Sequence, residues 1–415
     1  MTPPRTFINE HLGRVTSSGR FIPEVDGLRF LAIAGVVFFH IFRHQADKGP
    51  TAAVYAPFDH PHHPFGSLLT SGSFGVHLFF IISGFILALP FAEALLDARL
   101  IAGQGRQVGL RDYYLRRLWR IEPPYLINVA LCYFLRVVVD GASAIALLPL
   151  ALSSVFYLHN TLFDYDRMLN GVWWSLEVEV QFYVVAPLLA RLFAIRSSPM
   201  RRLAIVGVGL SGLCIGPIFP WRSLPNFIEY FMAGFLLADV YLVDWRRSPR
   251  QSWFWDVMGL AAVCMVPTVF RLGHHERLVM PVLLLIVCLA AFRGSSTHRL
   301  LRNMWLTTIG GMCYTIYLYH LLVIAAVHRL VGNLVLVEPR ALNFFLVAVV
   351  IYCPMVLATC AALFVLFERP FMRRRKEAAR PATSVAPIAV KSASQVVQSP
   401  RVALPQEQEA EEAHV

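Results

Sequence analysis

A train of apolar runs, most of them about as long as a bilayer is thick, limits what this sequence can fold into more than any other feature. The runs lie at about 28–42, 72–92, 123–140, 173–194, 203–220, 226–243, 255–271, 278–292, 305–327 and 342–367. A helix needs about 20 apolar residues to cross the ~30 Å hydrocarbon layer, and in lipid every backbone polar group must be satisfied within the segment. Composition agrees: 57% of the 415 residues are hydrophobic and 15% charged, where a soluble domain carries about 25% charged residues. The expected fold class is therefore all-α, a polytopic integral membrane protein of about ten transmembrane helices.

The net charge of +11 would suggest nucleic acid in a soluble protein. Here the basic residues sit in the short links between apolar runs, which excludes a phosphate groove and reads as positive-inside loops, so no nucleic-acid partner is expected. One alternating set of links holds Arg99, Arg106, Arg111, Arg116, Arg117 and Arg120, then Arg196, Arg201 and Arg202, then Arg246, Arg247 and Arg250, then Arg293, Arg299 and Arg302, and last Arg373 to Lys376. The opposite set holds little beyond Lys48, Arg167, Arg222, Arg271, Arg277 and Arg340. The alternation survives only if an eleventh, shorter run at 143–158 does not cross, which makes that run re-entrant or interfacial and puts both termini in the cytoplasm. Residues 1–22 form a polar cytoplasmic segment, 23–376 the transmembrane domain, and 377–415, rich in Ala, Pro, Val, Gln and Glu, a disordered cytoplasmic tail. The first run lacks a small-residue cleavage site and is expected to remain as the first span, with Asp26 capping its start. Seven cysteines fall within apolar runs without a Cys-x-x-Cys pair, so neither a disulfide framework nor a zinc site is expected. The His60, His62, His63 cluster lies in an outward loop without a defined ligand geometry, and no metal site is expected there.

Ionisable residues inside spans are costly and so are functional candidates. Arg29 and His40 stand eleven residues apart in the first run. On an α-helix that is almost three turns, so both side chains emerge on nearly one face about 16 Å apart along the axis, which suits a long ligand held at both ends. Counting depth from the ends of runs puts Arg29 near the cytoplasmic side and places His40, His77, Glu179 and Glu229 in the outer half, as a shared polar cavity open to the outside requires. Each also has a plainer reading, since a lone His or Glu near a span end can snorkel to the headgroups. Glu177 and Glu179, two positions apart, face opposite ways. His320 lies midway down its run, where snorkelling is harder, and Tyr314, Tyr317 and Tyr319 around it suit packing with a satisfied hydroxyl. Arg116, Arg117 and Arg120 are at least the positive-inside signal; as a site, guanidinium forks grip phosphates.

Several motifs in order resemble the integral-membrane acyltransferase 3 family. Asp-Gly-Leu-Arg-Phe-Leu-Ala-Ile (26–33) with His40 is similar to its opening motif and Phe-Gly-Val-His-Leu-Phe-Phe-Ile-Ile-Ser-Gly-Phe (74–85) to its second. Arg-Arg-Leu-Trp-Arg-Ile-Glu-Pro-Pro-Tyr (116–125) is similar to its third. Trp-Ser-Leu-Glu-Val-Glu-Val-Gln-Phe-Tyr (174–183) with Pro187, Ile-Gly-Gly-Met-Cys-Tyr-Thr-Ile-Tyr-Leu-Tyr-His (309–320) and Phe-Glu-Arg-Pro-Phe (367–371) complete the set. The resemblance covers roughly residues 20–376. It implies a multi-pass enzyme of the bacterial inner membrane that takes an acyl group, commonly acetyl, from cytoplasmic acyl-CoA to a hydroxyl of a sugar or other acceptor. It makes Arg29 and His40 essential and Glu179 the matching carboxylate. Two positions depart from the common pattern: His77 stands where Asp is frequent, and Cys313 where Ser is. The esterase-like domain fused to some relatives is not expected, since nothing folded follows the last run.

Together these lines lead to the expectation that Arg29, Arg117 and Arg120 bind the phosphates of acyl-CoA and that His40 acts as general base, with Glu179 orienting its imidazole. A covalent acyl-histidine relay is the variant. His77, Trp174, Glu229, Tyr317 and His320 are the candidate acceptor-binding residues. A proton-coupled transporter or a non-catalytic membrane scaffold also fits the topology; the arginine loop, which transport does not need, favours the enzyme.

Overall fold

The structure, a computed structural model, describes residues 21–47, 63–100, 108–270, 276–331 and 341–371. His60, His62 and the 377–415 tail lie outside the described residues. Among those described, every regular element is helical. Helix α1 is Pro23–Asp47 and α2 is Pro64–Thr70, followed by α3 (Gly75–Leu100), α4 (Leu110–Val138), α5 (Ala144–Val155), α6 (Trp173–Leu189) and α7 (Ser198–Ile215). Then come α8 (Ile228–Val243), α9 (Trp253–Phe270), α10 (Glu276–Arg293), α11 (Ser295–Leu301), α12 (Met304–Gly311), α13 (Cys313–Val331), α14 (Ala341–Val347) and α15 (Cys353–Leu363).

Seven helices among the described residues are long and apolar enough to cross a membrane, or eight if α10 and α11, bent by 85°, count as one span. The expected runs at 173–194 and 226–243 are helices of 17 and 16 residues. The first is shortened because its chain tightens into a 3₁₀ turn at Ala190–Ala194. Helix α5, on the ambiguous run, has 12 residues, about 18 Å of rise against a ~30 Å core, so it is too short to cross. The run at 305–327 differs from expectation: it is divided at Met312 into α12 and α13. The cause is close packing. A side chain at Gly310 would put its Cβ 1.8 Å from the Asp26 carbonyl oxygen, so glycine lets the backbones of α12 and α1 touch, at the cost of a weak point in the helix.

The described core falls into two apolar bodies. One gathers Phe80, Ile81, Phe85, Phe182, Phe231, Phe235 and Leu284 from α3, α6, α8 and α10. The other gathers Tyr125, Trp173, Ile316, Leu318, Ile324 and Phe364 from α4, α6, α13 and the C-terminal span. Helix α1 belongs to both, giving Val25, Leu28 and Ala32 to the first and Ile33, Val36, Ile41 and Phe42 to the second. It is 61% buried over its most apolar stretch, whereas α7 and α9 are 28% and 22% buried. Helix α1 is thus the centre of the bundle, and α7 and α9 turn most of their surface outward.

The C-terminal span, Phe344–Phe371, widens twice into π-helical turns, at Ala348–Tyr352 and Phe364–Glu368. In the second, Glu368 accepts a short hydrogen bond from Thr315 on α13. All seven cysteines are unbridged.

Candidate active site

The seam between the two apolar bodies opens into a cleft that holds about 780 Å³ of empty space when its solvent-open mouth is counted. Arg29 enters it from α1, Arg117, Arg120 and Ile121 from α4, Ser175, Leu176, Glu179 and Tyr183 from α6, and Cys313, Tyr314 and Tyr317 from α13. Helix α3 supplies the opposite wall with Val76, Phe79, Phe80, Ile82, Ser83, Ile86 and Leu87. One wall is charged and the other apolar, an arrangement that accepts a long molecule with a polar end.

Each charged group is held in place. The buried Arg29 guanidinium pairs with the buried Asp26 carboxylate at 2.5 Å. Asp26 therefore does not cap α1 as expected: the helix begins three residues earlier, at Pro23, and the carboxylate on the first turn faces the arginine one turn on. Arg117 lies 5.9 Å from the rings of both Tyr113 and Tyr183, a distance for cation–π attraction. Its Nε is buried and makes no hydrogen bond. Across the cleft, Glu179 accepts from the Tyr183 hydroxyl at 2.6 Å and from the Ser83 hydroxyl in a short bond. The sequence reading missed both donors. Tyr183 stands one turn after Glu179, the spacing at which helix side chains meet; nothing in the sequence singles out Ser83.

Glu179 consequently shares a site with Arg29, Arg117 and Arg120, not with His40. The depth count failed here because it ranks residues along a span and ignores which way they face; the cleft reaches far enough for the second turn of α6 to join the arginines. Glu177, two positions back, points away and is fully buried. Its carboxylate accepts the backbone N–H groups of His159 and Asn160 at 3.2 and 2.8 Å, tying the segment after α5 to α6.

Tyr317 also lines the cleft. Its hydroxyl donates to the Val172 carbonyl in a short bond and lies 3.1 Å from the Ser175 hydroxyl. Next along α13 comes His320, whose ring centroid is 5.1 Å from that of His40. The second pole of α1 therefore meets an imidazole from α13, not a carboxylate from α6.

The cavity expected to join His40 with His77, Glu179 and Glu229 is not what the described residues form. His77 projects from α3 away from the cleft into the rings of Phe74, Phe80, Phe227 and Tyr230, at centroid distances of 4.6 to 6.2 Å. Glu229 is bound to Arg277 through Nε and Nη2 at 3.0 and 3.3 Å, and Arg277 also donates to the Gly212 carbonyl. This is a helix-to-helix clamp. Trp174 packs against Phe80 and Phe227 and lies 5.6 Å from Arg222. Arg222, in the loop after α7, sits 3.2 Å over the Tyr165 ring, and burial draws its guanidinium below its ordinary pKa. Among the described residues, no group of three or more His, Cys, Asp or Glu could hold a metal ion.

A family model described as "Acyltransferase domain" matches residues 22–365. The O-acetyltransferase OatA of Staphylococcus aureus (strain NCTC 8325 / PS 47) is 23% identical over 345 residues, covering 75% of this chain and 52% of that protein. A second protein of that species (strain COL), SACOL0978, provisionally named an O-acetyltransferase, is 20% identical over 341 residues, or 74% of this chain and 52% of its own length. The chain thus spans about half the length of the curated relatives it matches. No solved structure matches it. With the family model covering all but the last residues of the helical bundle and every residue that lines the cleft, this chain belongs to the acyltransferase family that the model describes.

Proposed function

We propose that this protein is a membrane O-acyltransferase of the bacterial inner membrane, moving an acyl group, acetyl in the simplest case, from cytoplasmic acyl-CoA to a hydroxyl of a cell-surface or exported glycan or a related acceptor. The observation that carries this reading is the convergence of Arg29, Arg117 and Arg120 on one cleft with an apolar wall. A nucleotide donor with phosphates at one end and a pantetheine arm at the other matches that division, and guanidinium groups bind phosphate by charge-assisted hydrogen bonds. The names of the relatives support the acetyl group and the oxygen acceptor.

Arg117 and Arg120 carry most of the phosphate grip, because Arg29 is already compensated by Asp26. Glu179, held by Ser83 and Tyr183, is an acceptor for the amide N–H groups of the pantetheine arm. Beyond Tyr317, His40 takes the proton from the acceptor hydroxyl. The freed oxygen bonds to the acyl carbon, the carbon–sulfur bond breaks, and the proton ends on the departing CoA thiolate. General base catalysis of this kind contributes about 10²–10⁴ in rate. Tyr317, a lining residue of the cleft, holds the acceptor; Trp174, His77 and Glu229 act through packing.

The test is transfer from [14C]acetyl-CoA in membrane vesicles that retain their native acceptors, with base-labile label counted in the glycan fraction. His40→Ala and Arg117→Ala should each abolish most incorporation, the second by weakening donor binding. Full activity in either variant refutes the scheme.

A further inference from the structure

His320 is wholly buried in α13, and its two ring nitrogens have unlike surroundings. Nδ1 lies 2.8 Å from the Ile316 carbonyl oxygen and 2.9 Å from that of Tyr317. Both are acceptors only, so Nδ1 carries the hydrogen and donates it. The neutral ring then has its lone pair on Nε2, and that atom is buried with no hydrogen-bond partner. A buried acceptor left unmade costs about 1–3 kcal/mol, and the ring packed on His320 is that of His40.

We propose that His320 is a positioning residue for His40. Its Nε2 accepts the N–H of the His40 imidazole and so leaves the other His40 nitrogen as the lone pair that faces the acceptor hydroxyl. The α13 backbone sets the His320 tautomer, and His320 sets that of His40. The pairing explains how α1 can carry a general base that has no carboxylate beside it among the described residues, a role Glu179 does not fill from within the arginine cleft. It also gives the partially positive His40 ring of the transition state a neutral acceptor to lean on. The inference rests on His40 acting as the base in the proposed acyl transfer.

Two substitutions separate positioning from a structural role. In His320→Asn the amide occupies the place of Nδ1 and keeps the bond to the α13 carbonyls, but nothing stands where Nε2 was. In His320→Gln the side-chain oxygen reaches the place of Nε2 and accepts from His40. Incorporation from [14C]acetyl-CoA into vesicle glycan should fall about 100-fold in the Asn variant, with KM for acetyl-CoA within about twofold, while the Gln variant keeps at least tenfold more turnover than Asn. Asn equal to or better than Gln overturns the proposal, as does wild-type turnover in both. The full-length protein labelled with [15N]histidine, in lipid nanodiscs, gives a readout that needs no turnover. The His40 ring resonances, assigned with His40→Ala, should move in the Asn variant and hold in the Gln variant; unmoved resonances in both overturn the pairing even if wild-type vesicles transfer no label. Absence of transfer by wild type alone refutes the acyltransferase reading.

Discussion

Replacing Gly84 by Ala perturbs the tightest part of the frame that carries the cleft. Helices α3 and α8 cross where Gly84 meets the Phe231 carbonyl and Gly234 meets the Ile81 carbonyl; a Cβ at either glycine would lie 2.2 Å from that oxygen. Ordinary contact begins at 3.4 Å, so the helices must part by about 1.2 Å. The obstacle is backbone on both sides and has no flexible end to swing aside. Overpacking of this kind costs about 1–3 kcal/mol, here near the upper end because neither backbone can yield, and relief of glycine's weak helix propensity returns at most about 1, leaving a net loss of about 2 kcal/mol. Gly207, in the exposed middle of α7, has nothing within 4 Å of its would-be Cβ, so Gly207→Ala should be neutral or gain up to about 1 kcal/mol. Heating the purified variants in one detergent and following tryptophan fluorescence compares them directly. Because Ser83 neighbours Gly84 and bonds Glu179, Gly84→Ala should also loosen acetyl-CoA binding, which Gly207→Ala should not. Equal shifts for the two variants, or a Gly84→Ala protein as stable as wild type, would refute the reasoning.

Arg120→Ala should weaken acetyl-CoA binding by about 10- to 100-fold, the value of one charge-assisted contact of about 1.5–3 kcal/mol, as read by calorimetry on the purified protein. Asn128→Ala should destabilise the fold by about 1–3 kcal/mol in the same melting experiment, since Asn128 accepts from the Trp173 indole at 2.9 Å and donates to the Leu318 carbonyl at 3.2 Å, all buried. Arg277→Ala strands the buried Glu229 carboxylate; stability should drop by roughly 2–3 kcal/mol, below the full buried-pair value because Arg277 keeps some solvent contact, while KM for acetyl-CoA stays unchanged.

Much of the frame was legible in the sequence because lipid imposes a simple rule. Apolar runs became helices, the 143–158 run formed a helix too short to cross, and the arginines near Leu118 reached the same cleft as Arg29. Sequence spacing could say that Arg29 and His40 share a face of α1, since both positions belong to one rigid helix. It could not say which face of α6 meets which neighbour, so Glu179 was expected beside His40, whereas it lines the cleft with the arginines. Tertiary azimuth also decides His77 and Glu229: both sit in spans, but one is caged by rings and the other clamped by Arg277. The break at Met312 was hidden because hydropathy is continuous through it; the Gly310–Gly311 pair was the available sign, and its meaning depends on α1 lying against it.

The hydrogen bonds of Tyr317 also bear on how the cleft keeps its shape. A polar cleft inside an apolar bundle is a place where water can enter, and the side chains that line it decide how far. Tyr317, bonded to the Val172 carbonyl and beside Ser175, puts an aromatic ring with a satisfied hydroxyl on the lining, and one turn further along α13 the His320 ring lies tilted against that of His40. Both partners of the hydroxyl belong to α6 or the residue just before it, so the ring cannot swing without giving up bonds to that helix. One side chain thus fixes the spacing of α13 and α6 and, with it, the width of the cleft they share.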